Sequence, residues 1–514
     1  MQQIFNPYLP CYEYIPDGEP HVFGDRLYIF GSHDRFNGDE FCLNDYICYS
    51  CNVTDLTKWK YEGIILKKEQ DPRNKELYKE GKRLHAQWAP DVVKGPDGRY
   101  YLYYCLDYLP EIAVAVCDSP AGKYEFYGFV QHADGSILGQ RNDDLAQFDP
   151  AVYMDNGKIY LYSGQASMFQ DQYDEKKQAQ VMTLEKDMVT LASEPRCFLP
   201  DIRHSKGTGF EGHEFFEASS IRKIGEVYYM IYSSVQSHEL CYATSSRPDG
   251  EFSFGGTIVD IGDVFLHGRT EEQAVNPYGN THGSIEYVNG QWYVFYHRQT
   301  NRTNFSRQGC AEKIEIQEDG KILQTEVTSC GLNHGALDGN GIYPAYICCH
   351  HTGAKGTKHS NPHLMEMNYP YLTQDTDDLD PENDMGNILA TEYPAQYVAN
   401  IKNGDIIGFK YFHMEGKKRV RLELRGIAKG KIYVYCIPKE NFINNGGLEL
   451  KPECAVTCAD VEANEKKWNW TEFSNEFSVD GDNAIYFVFE GNGVLDFDRF
   501  ELLYGETKIA EAVE

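Results

Sequence analysis

Five segments of the chain repeat one pattern, and that repeat constrains the fold more than any other feature. They run from Asp17 into G-D-R-L-Y-I-F-G-S, from Ala89 into G-P-D-G-R-Y-Y-L-Y-Y, from Asp149 into M-D-N-G-K-I-Y-L-Y-S, from Glu217 into I-G-E-V-Y-Y-M-I-Y-S and from His282 into V-N-G-Q-W-Y-V-F-Y-H. Eleven residues after each start stands a tyrosine, at Tyr28, Tyr100, Tyr160, Tyr228 and Tyr293, with no gap required. The starts are 72, 60, 68 and 65 residues apart. Aromatic and polar residues alternate with a period of two, which marks strands rather than helices. Turns rich in Gly, Asp and Asn separate the runs. About four short strands in each unit, five times over, predict a five-bladed β-propeller.

Propeller geometry turns the repeat into a site. The first strand of each blade lines the axis, so equivalent positions in successive blades converge on one central pit. Four of the five positions carry Asp17, Asp149, Glu217 and His282. A buried carboxyl is costly without a partner. Three of them beside an imidazole predict shifted pKa values and chemistry.

Composition narrows the partners. The formal charge is −30, which denies the chain the basic footprint that nucleic acid or an anionic membrane surface requires. A neutral ligand stays open, since such acidity mainly serves solubility. No apolar run reaches the roughly 18 residues of a spanning helix. The first ten residues, M-Q-Q-I-F-N-P-Y-L-P, show no signal-peptide pattern. The 15 Cys are odd in number and scattered; Cys48-x-x-Cys51 lacks a second pair, and Cys348-Cys349 are adjacent. Reduced thiols and a cytoplasmic location are expected. His213-Glu214-x-x-Glu217 lacks the second histidine of a zinc protease motif, and neither a P-loop nor a G-x-S-x-G elbow occurs. No organic cofactor is expected.

The motifs around the ring resemble glycoside hydrolase family 43. They are Asn6-Pro7, Asp17, Trp88-Ala89-Pro90-Asp91-Val92, Phe148-Asp149-Pro150 and Phe216-Glu217-Ala218-Ser219, in order and at blade spacing over residues 4–325. The resemblance implies an inverting glycosidase with Asp17 as general base, Glu217 as general acid and Asp149 raising and orienting the acid. Inversion needs one carboxylate and one carboxylic acid with room for a water, and a third carboxyl helps to keep the acid protonated. The segment Pro16-Asp17-Gly18-Glu19-Pro20 departs from the family's Asp-Pro, which makes Glu19 a rival base and P-D-G an ordinary turn; the gapless spacing favours Asp17. The resemblance also implies a pit arginine at Arg307 and an axial calcium or sodium ion facing His282, which otherwise reads as a hydrogen-bonded structural histidine. Trp88 is expected to stack on a sugar, and Asp34 and Asp91 to contact hydroxyls. No W-x-N-D-P segment occurs, which argues against the retaining fructosyl-transferring propellers.

The blade pattern stops after Lys321-Ile322-Leu323. This divides the chain into a propeller, residues 1–330, and residues 331–514, an antiparallel β-sandwich preceded by a connecting stretch from Gly331 to His363. An acidic stretch, Thr373 to Asp384, reads as a solvated loop. Alternating strands follow at 405–412, 419–425, 431–435, 484–489 and 495–502. The ending resembles the last strands of family 6-like carbohydrate-binding modules, with Trp468 and Trp470 as a sugar platform in a loop, or else a purely structural sandwich.

The expected protein is thus an all-β inverting glycosidase of β-D-xylosidase or α-L-arabinofuranosidase type, acting on small plant-derived oligosaccharides. The rivals are an exo-galactosidase on the same fold and a non-catalytic sugar-binding propeller.

Overall fold

The computed structural model describes residues 3–357, 368–375, 395–445, 448 and 450–505. Four antiparallel four-stranded sheets and a fifth of three strands follow one another along the chain. Blade one is β1 (Glu19–Phe23), β2 (Arg26–Phe30), β3 (Tyr46–Asn52) and β4 (Asp55–Leu66). A short helix, α1 (Pro72–Lys79), precedes blade two: β5 (Gln87–Lys94), β6 (Tyr100–Leu106), β7 (Ile112–Cys117) and β8 (Glu125–Phe129). Blade three is β9 (Ala151–Asp155), β10 (Lys158–Ser163), β11 (Gln180–Leu184) and β12 (Arg196–Cys197). Blade four is β13 (Phe215–Ile224), β14 (Val227–Ser234), β15 (Glu239–Ser245) and β16 (Ser253–Asp260). Blade five is β17 (Ser284–Val288), β18 (Gln291–Gln299) and β19 (Arg307–Lys313). The five repeated tyrosines all fall in the second strand of their blade.

The N-terminal segment closes the ring on β19. The Tyr8 N–H donates to the Gly309 carbonyl at 3.2 Å. The Asn6 side chain donates to the Ala311 carbonyl at 2.9 Å and accepts the Ala311 N–H at 2.9 Å. First and last parts of the propeller therefore cannot separate without exposing buried amide groups.

The inner strands meet in a polar network. Arg222 of β13 donates to Glu19 of β1 at 2.8 Å and to Glu286 of β17 at 3.3 Å. Ser220 bonds both Glu19 and Ser284. Asp91 of β5 accepts the Val152 N–H of blade three at 2.7 Å and lies 2.7 Å from His21 Nε2. Buried charges are tolerated here because each has its counter-charge or donor in hand.

The C-terminal part is a second β structure: β20 (Leu337–Asp338), β21 (Gly341–Pro344), β22 (His350–Thr352), β23 (Tyr371–Gln374), β24 (Gln396–Ile401), β25 (Ile406–Met414), β26 (Lys417–Pro438), β27 (Thr457–Glu472), β28 (Phe477–Ser478) and β29 (Gly481–Tyr504). Its pairings are antiparallel except β20 with β25. The strands surround one apolar core that includes Phe409, Val434, Phe487, Phe497 and Phe500.

Four expectations change here. The pairs of strands expected at 419–425 and 431–435, and at 484–489 and 495–502, are single long strands, β26 and β29, paired along their whole length. Their glycines look like turn signals in the sequence but serve close packing: Gly430 faces Gly491, and a Cβ on either would lie 2.3 or 2.4 Å from the opposite strand's carbonyl oxygen. The stretch from Gly331 is not a bare connection, because β21 and β22 add to β29 and β25; strands this short carry no alternation to read. Trp468 and Trp470 lie within β27 rather than in a loop, and Arg425 and Arg421 cover their rings at 4.3 Å each. In the acidic stretch, Thr373 and Gln374 belong to β23 and Asp375 pairs with Arg425 at 2.8 Å; positions 376–384 lie outside the described residues.

The two parts are bonded through buried groups. Lys410 of β25, 1% exposed, reaches Asp263 at 3.0 Å and Glu326 at 2.8 Å. Arg298 of β18 donates to the Cys348 carbonyl at 3.0 Å, and Asn276 to the Cys349 carbonyl at 2.9 Å.

Candidate active site

Asp17, Asp149 and Glu217 line one cavity of about 260 Å³, together with His282, Arg307 and Trp88. Each carboxyl sits where its blade enters its inner strand, and the backbone there is strained. Asp17 has φ 56°, Asp149 φ 42°, Ala89 φ 27°, and Ala218, next to Glu217, φ 67°. Left-handed backbone at non-glycine residues costs of order 1–3 kcal/mol each and concentrates at functional sites. Here it recurs at the repeat start in three blades and one residue after it in a fourth. In blade five the residue after His282 is Gly283, where a Cβ would lie 1.9 Å from the Phe295 carbonyl oxygen.

Arg307 organises one wall. It donates to Asp17 Oδ1 at 3.0 Å through Nη1, and to both oxygens of Asp34 at 2.9 Å through Nε and Nη2. Asp34 is fully buried. Its expected contact with sugar hydroxyls is corrected: it fixes the arginine that meets Asp17. Burial alone would raise Asp17, but the Arg307 charge and a hydrogen bond from Ser32 hold the carboxyl below its ordinary range. His297 is neutral: burial and the Arg307 charge push it down to about 3. It accepts the Asp17 N–H through Nδ1 at 3.1 Å, so Nε2 donates to the Asn280 carbonyl at 3.0 Å.

Glu217 has the opposite setting. Burial raises it, Gln165 partly counters, and the negative charge of Asp17 raises it further, to about 7. Burial, Glu217 and Asp17 also push Asp149 up. A lowered carboxyl and a raised one thus face the same small volume. His282 Nδ1 lies 3.5 Å from Asp149 and 4.0 Å from Asp17, and burial lowers its pKa.

Trp88 forms an apolar wall with Phe148 and Phe41, at ring centroid distances of 5.3 and 6.3 Å. Asp91 does not reach the cavity: its oxygens are taken by His21, Val92 and Val152 in the axial network, so the expected sugar contact is corrected. Glu19, the rival base, is held there as well by Arg222 and Ser220. Glu19, His21 and Asp91 bring ligating atoms together, but Arg222 already supplies the positive charge. At His282 the donor set is one neutral nitrogen beside two carboxyls, which fits only a loosely held hard cation completed by water.

Sequence reasoning missed Gln165 and His297. Gln165 stands just past the end of β10, and His297 near the end of β18, beyond Phe295, which pairs with the first residue of β17; antiparallel pairing returns both to the start of a first strand. That geometry was the available signal.

Three axial carboxyls around a sugar-sized pit on a five-bladed propeller define a glycoside hydrolase. The family model for glycosyl hydrolases family 43 matches residues 20–322. The chain is 47% identical over 506 residues to a xylosidase/arabinosidase of Thermoclostridium stercorarium, covering 98% of this chain and 99% of that one. It is 30% identical over 350 residues to a xylosidase/arabinosidase of Bacteroides ovatus, covering 62% and 97% respectively. Among solved structures, a family 43 β-xylosidase/α-arabinofuranosidase from a compost microbial metagenome, in complex with xylotriose and in a calcium-free form, is 24% identical with a TM-score of 0.48, covering 63% of this chain and 98% of that one. The chain belongs to glycosyl hydrolases family 43, an inverting family.

Proposed function

We propose that this enzyme removes terminal β-D-xylosyl or α-L-arabinofuranosyl units from short oligosaccharides, with Asp17 as base, Glu217 as acid and Asp149 as the group that orients the acid. The observation that carries the reading is one cavity with two opposite settings: Arg307 donates to Asp17 at 3.0 Å and lowers it, while Glu217 is buried with no cation in contact among the described residues and is raised to about 7. The sugar ring packs on Trp88. Asp17 takes a proton from a water that attacks the anomeric carbon from one face. Glu217 gives its proton to the departing glycosidic oxygen on the other face, and the anomeric centre inverts. Asp149, itself pushed up by burial, Glu217 and Asp17, lines the same cavity and orients the acid.

A cavity of about 260 Å³ lies just under the roughly 300–1,000 Å³ of drug-sized ligand sites. It suits one terminal sugar, which supports exo action. The names of the xylosidase/arabinosidase relatives support the pentose specificity. His282 would hold an axial calcium or sodium ion, whose charge would help to keep nearby carboxyls ionised. The family match ends at residue 322 and β19 at Lys313, which supports a propeller of residues 1–330 followed by a separate β domain. All fifteen cysteines are unbridged, which supports a reducing, cytoplasmic setting.

The test is a panel of xylosides, arabinofuranosides and galactosides, with NMR of the first-formed anomer. Release of xylose or arabinose with inversion is expected. Galactose as the only product would overturn the specificity, and a retained anomer would overturn the roles of Asp17 and Glu217.

A further inference from the structure

A two-residue chain runs from Glu217 through Gln165, which lines the same cavity, to Lys177. Gln165 Nε2 donates to Glu217 Oε2 at 2.8 Å. Lys177 Nζ donates to Gln165 Oε1 at 3.2 Å. An ammonium can only donate, so it fixes the amide: oxygen towards Lys177, NH₂ towards Glu217. Oε2 of Glu217 then has to accept, and the acidic proton is left to Oε1.

We infer that Lys177 is a positioning residue for catalysis, acting through Gln165 to present the Glu217 proton on Oε1 to the leaving oxygen. This rests on Glu217 being the general acid. Without Lys177 the amide is free to turn its oxygen towards Glu217. The carboxyl then satisfies itself by donating from Oε2 to Gln165, and the proton points away from the glycosidic bond.

Lys177 also acts by charge. The charged and titratable groups around Glu217 are Asp17, Cys42, Asp149, His282 and Arg307 at the cavity, and Lys177 beyond Gln165. Asp17 raises Glu217, while Arg307 and Lys177 lower it. Removing the Lys177 charge raises Glu217, so the acid keeps its proton to higher pH.

The experiment compares wild type, Lys177→Met, Lys177→Arg and Glu217→Gln on two substrates: xylobiose or its arabinosyl counterpart, whose leaving oxygen needs a proton, and the matching glycosyl fluoride, which leaves without a sugar alkoxide to protonate. For Lys177→Met we expect kcat on the disaccharide to fall by up to roughly a hundredfold, as a misplaced catalytic group can cause, with KM little changed. The basic limb of its pH profile should move up, and the fluoride should be turned over at near wild-type rate. Lys177→Arg should restore most of the loss. Equal losses on both substrates, or an unshifted pH profile, would overturn the inference. If Glu217→Gln itself keeps wild-type activity on the disaccharide, the acid assignment fails. If Glu217→Gln is inactive there and Lys177→Met is unaffected, the Lys177 role alone fails.

Discussion

Arg307, at the start of the last propeller strand, meets Asp17 of the first blade at 3.0 Å while Asp34 grips its other donors. Residues 290 apart in sequence thus set the charge of the candidate base. Arg307→Met should leave two buried carboxyls without their cation. Breaking such a pair typically costs about 3–5 kcal/mol, readable in chemical denaturation. In the fraction that stays folded, Asp17 loses the group that lowers it, so the acid limb of kcat/KM should move to higher pH. An unmoved limb would show that Arg307 does not govern the base.

The raised acid carries a stability signature. Glu217 moves from its ordinary 4.5 to about 7 on folding. Its protonated form is favoured in the folded state, so its contribution is complete below pH 4.5 and is lost as pH rises through about 7. Glu217→Gln removes that loss. The variant should melt higher than wild type at pH 8 and gain little at pH 4, while its rate on unactivated substrates falls by roughly 10²–10⁴. Melting curves at the two pH values test the first part; steady-state rates test the second.

The basic limb of the wild-type kcat/KM profile should fall near pH 7, where free-enzyme Glu217 gives up its proton. In Glu217→Gln this limb should disappear. A limb that persists unchanged would assign it to another group.

Lys410 joins the two β structures through Asp263 and Glu326, with almost no exposure of its own. Lys410→Met should destabilise the protein by about 3–5 kcal/mol, and Lys410→Met with Asp263→Asn should recover part of this by removing one stranded charge. Urea titrations of the single and double variants measure both. Equal stability of wild type and Lys410→Met would make the ion pair energetically idle.

If a cation sits at His282 beside Asp17 and Asp149, its binding is expected to be weak and stabilising. Adding calcium to metal-stripped protein should raise Tm by the linkage of binding to folding, and His282→Ala should abolish that rise. A calcium response that survives in His282→Ala would place the ion elsewhere.

Much of this was legible in the sequence because the repeat is local. Each blade supplies its own turn, alternation and tyrosine, so five-fold spacing gave the propeller, and the shared position brought forward Asp17, Asp149, Glu217 and His282. The same logic failed for Asp34 and Asp91. Asp34 follows the second strand of blade one and Asp91 lies in the first strand of blade two, yet one is consumed by Arg307 and the other by His21 and two backbone amides. Whether a carboxyl faces substrate or a partner depends on which donors arrive from other blades. The long strands β26 and β29 were hidden for a related reason: Gly430 and Gly491 read as turns until each is seen to need the other's closeness.

By itself, then, the sequence determined a five-bladed ring with three carboxyls and an imidazole at its centre, since strand periodicity and repeat spacing are properties of neighbouring residues. Only the tertiary structure decided which carboxyl is ionised and which keeps its proton. Burial, the reach of Arg307 and the amide of Gln165 come from distant segments, and an electrostatic environment exists only once those segments are packed together.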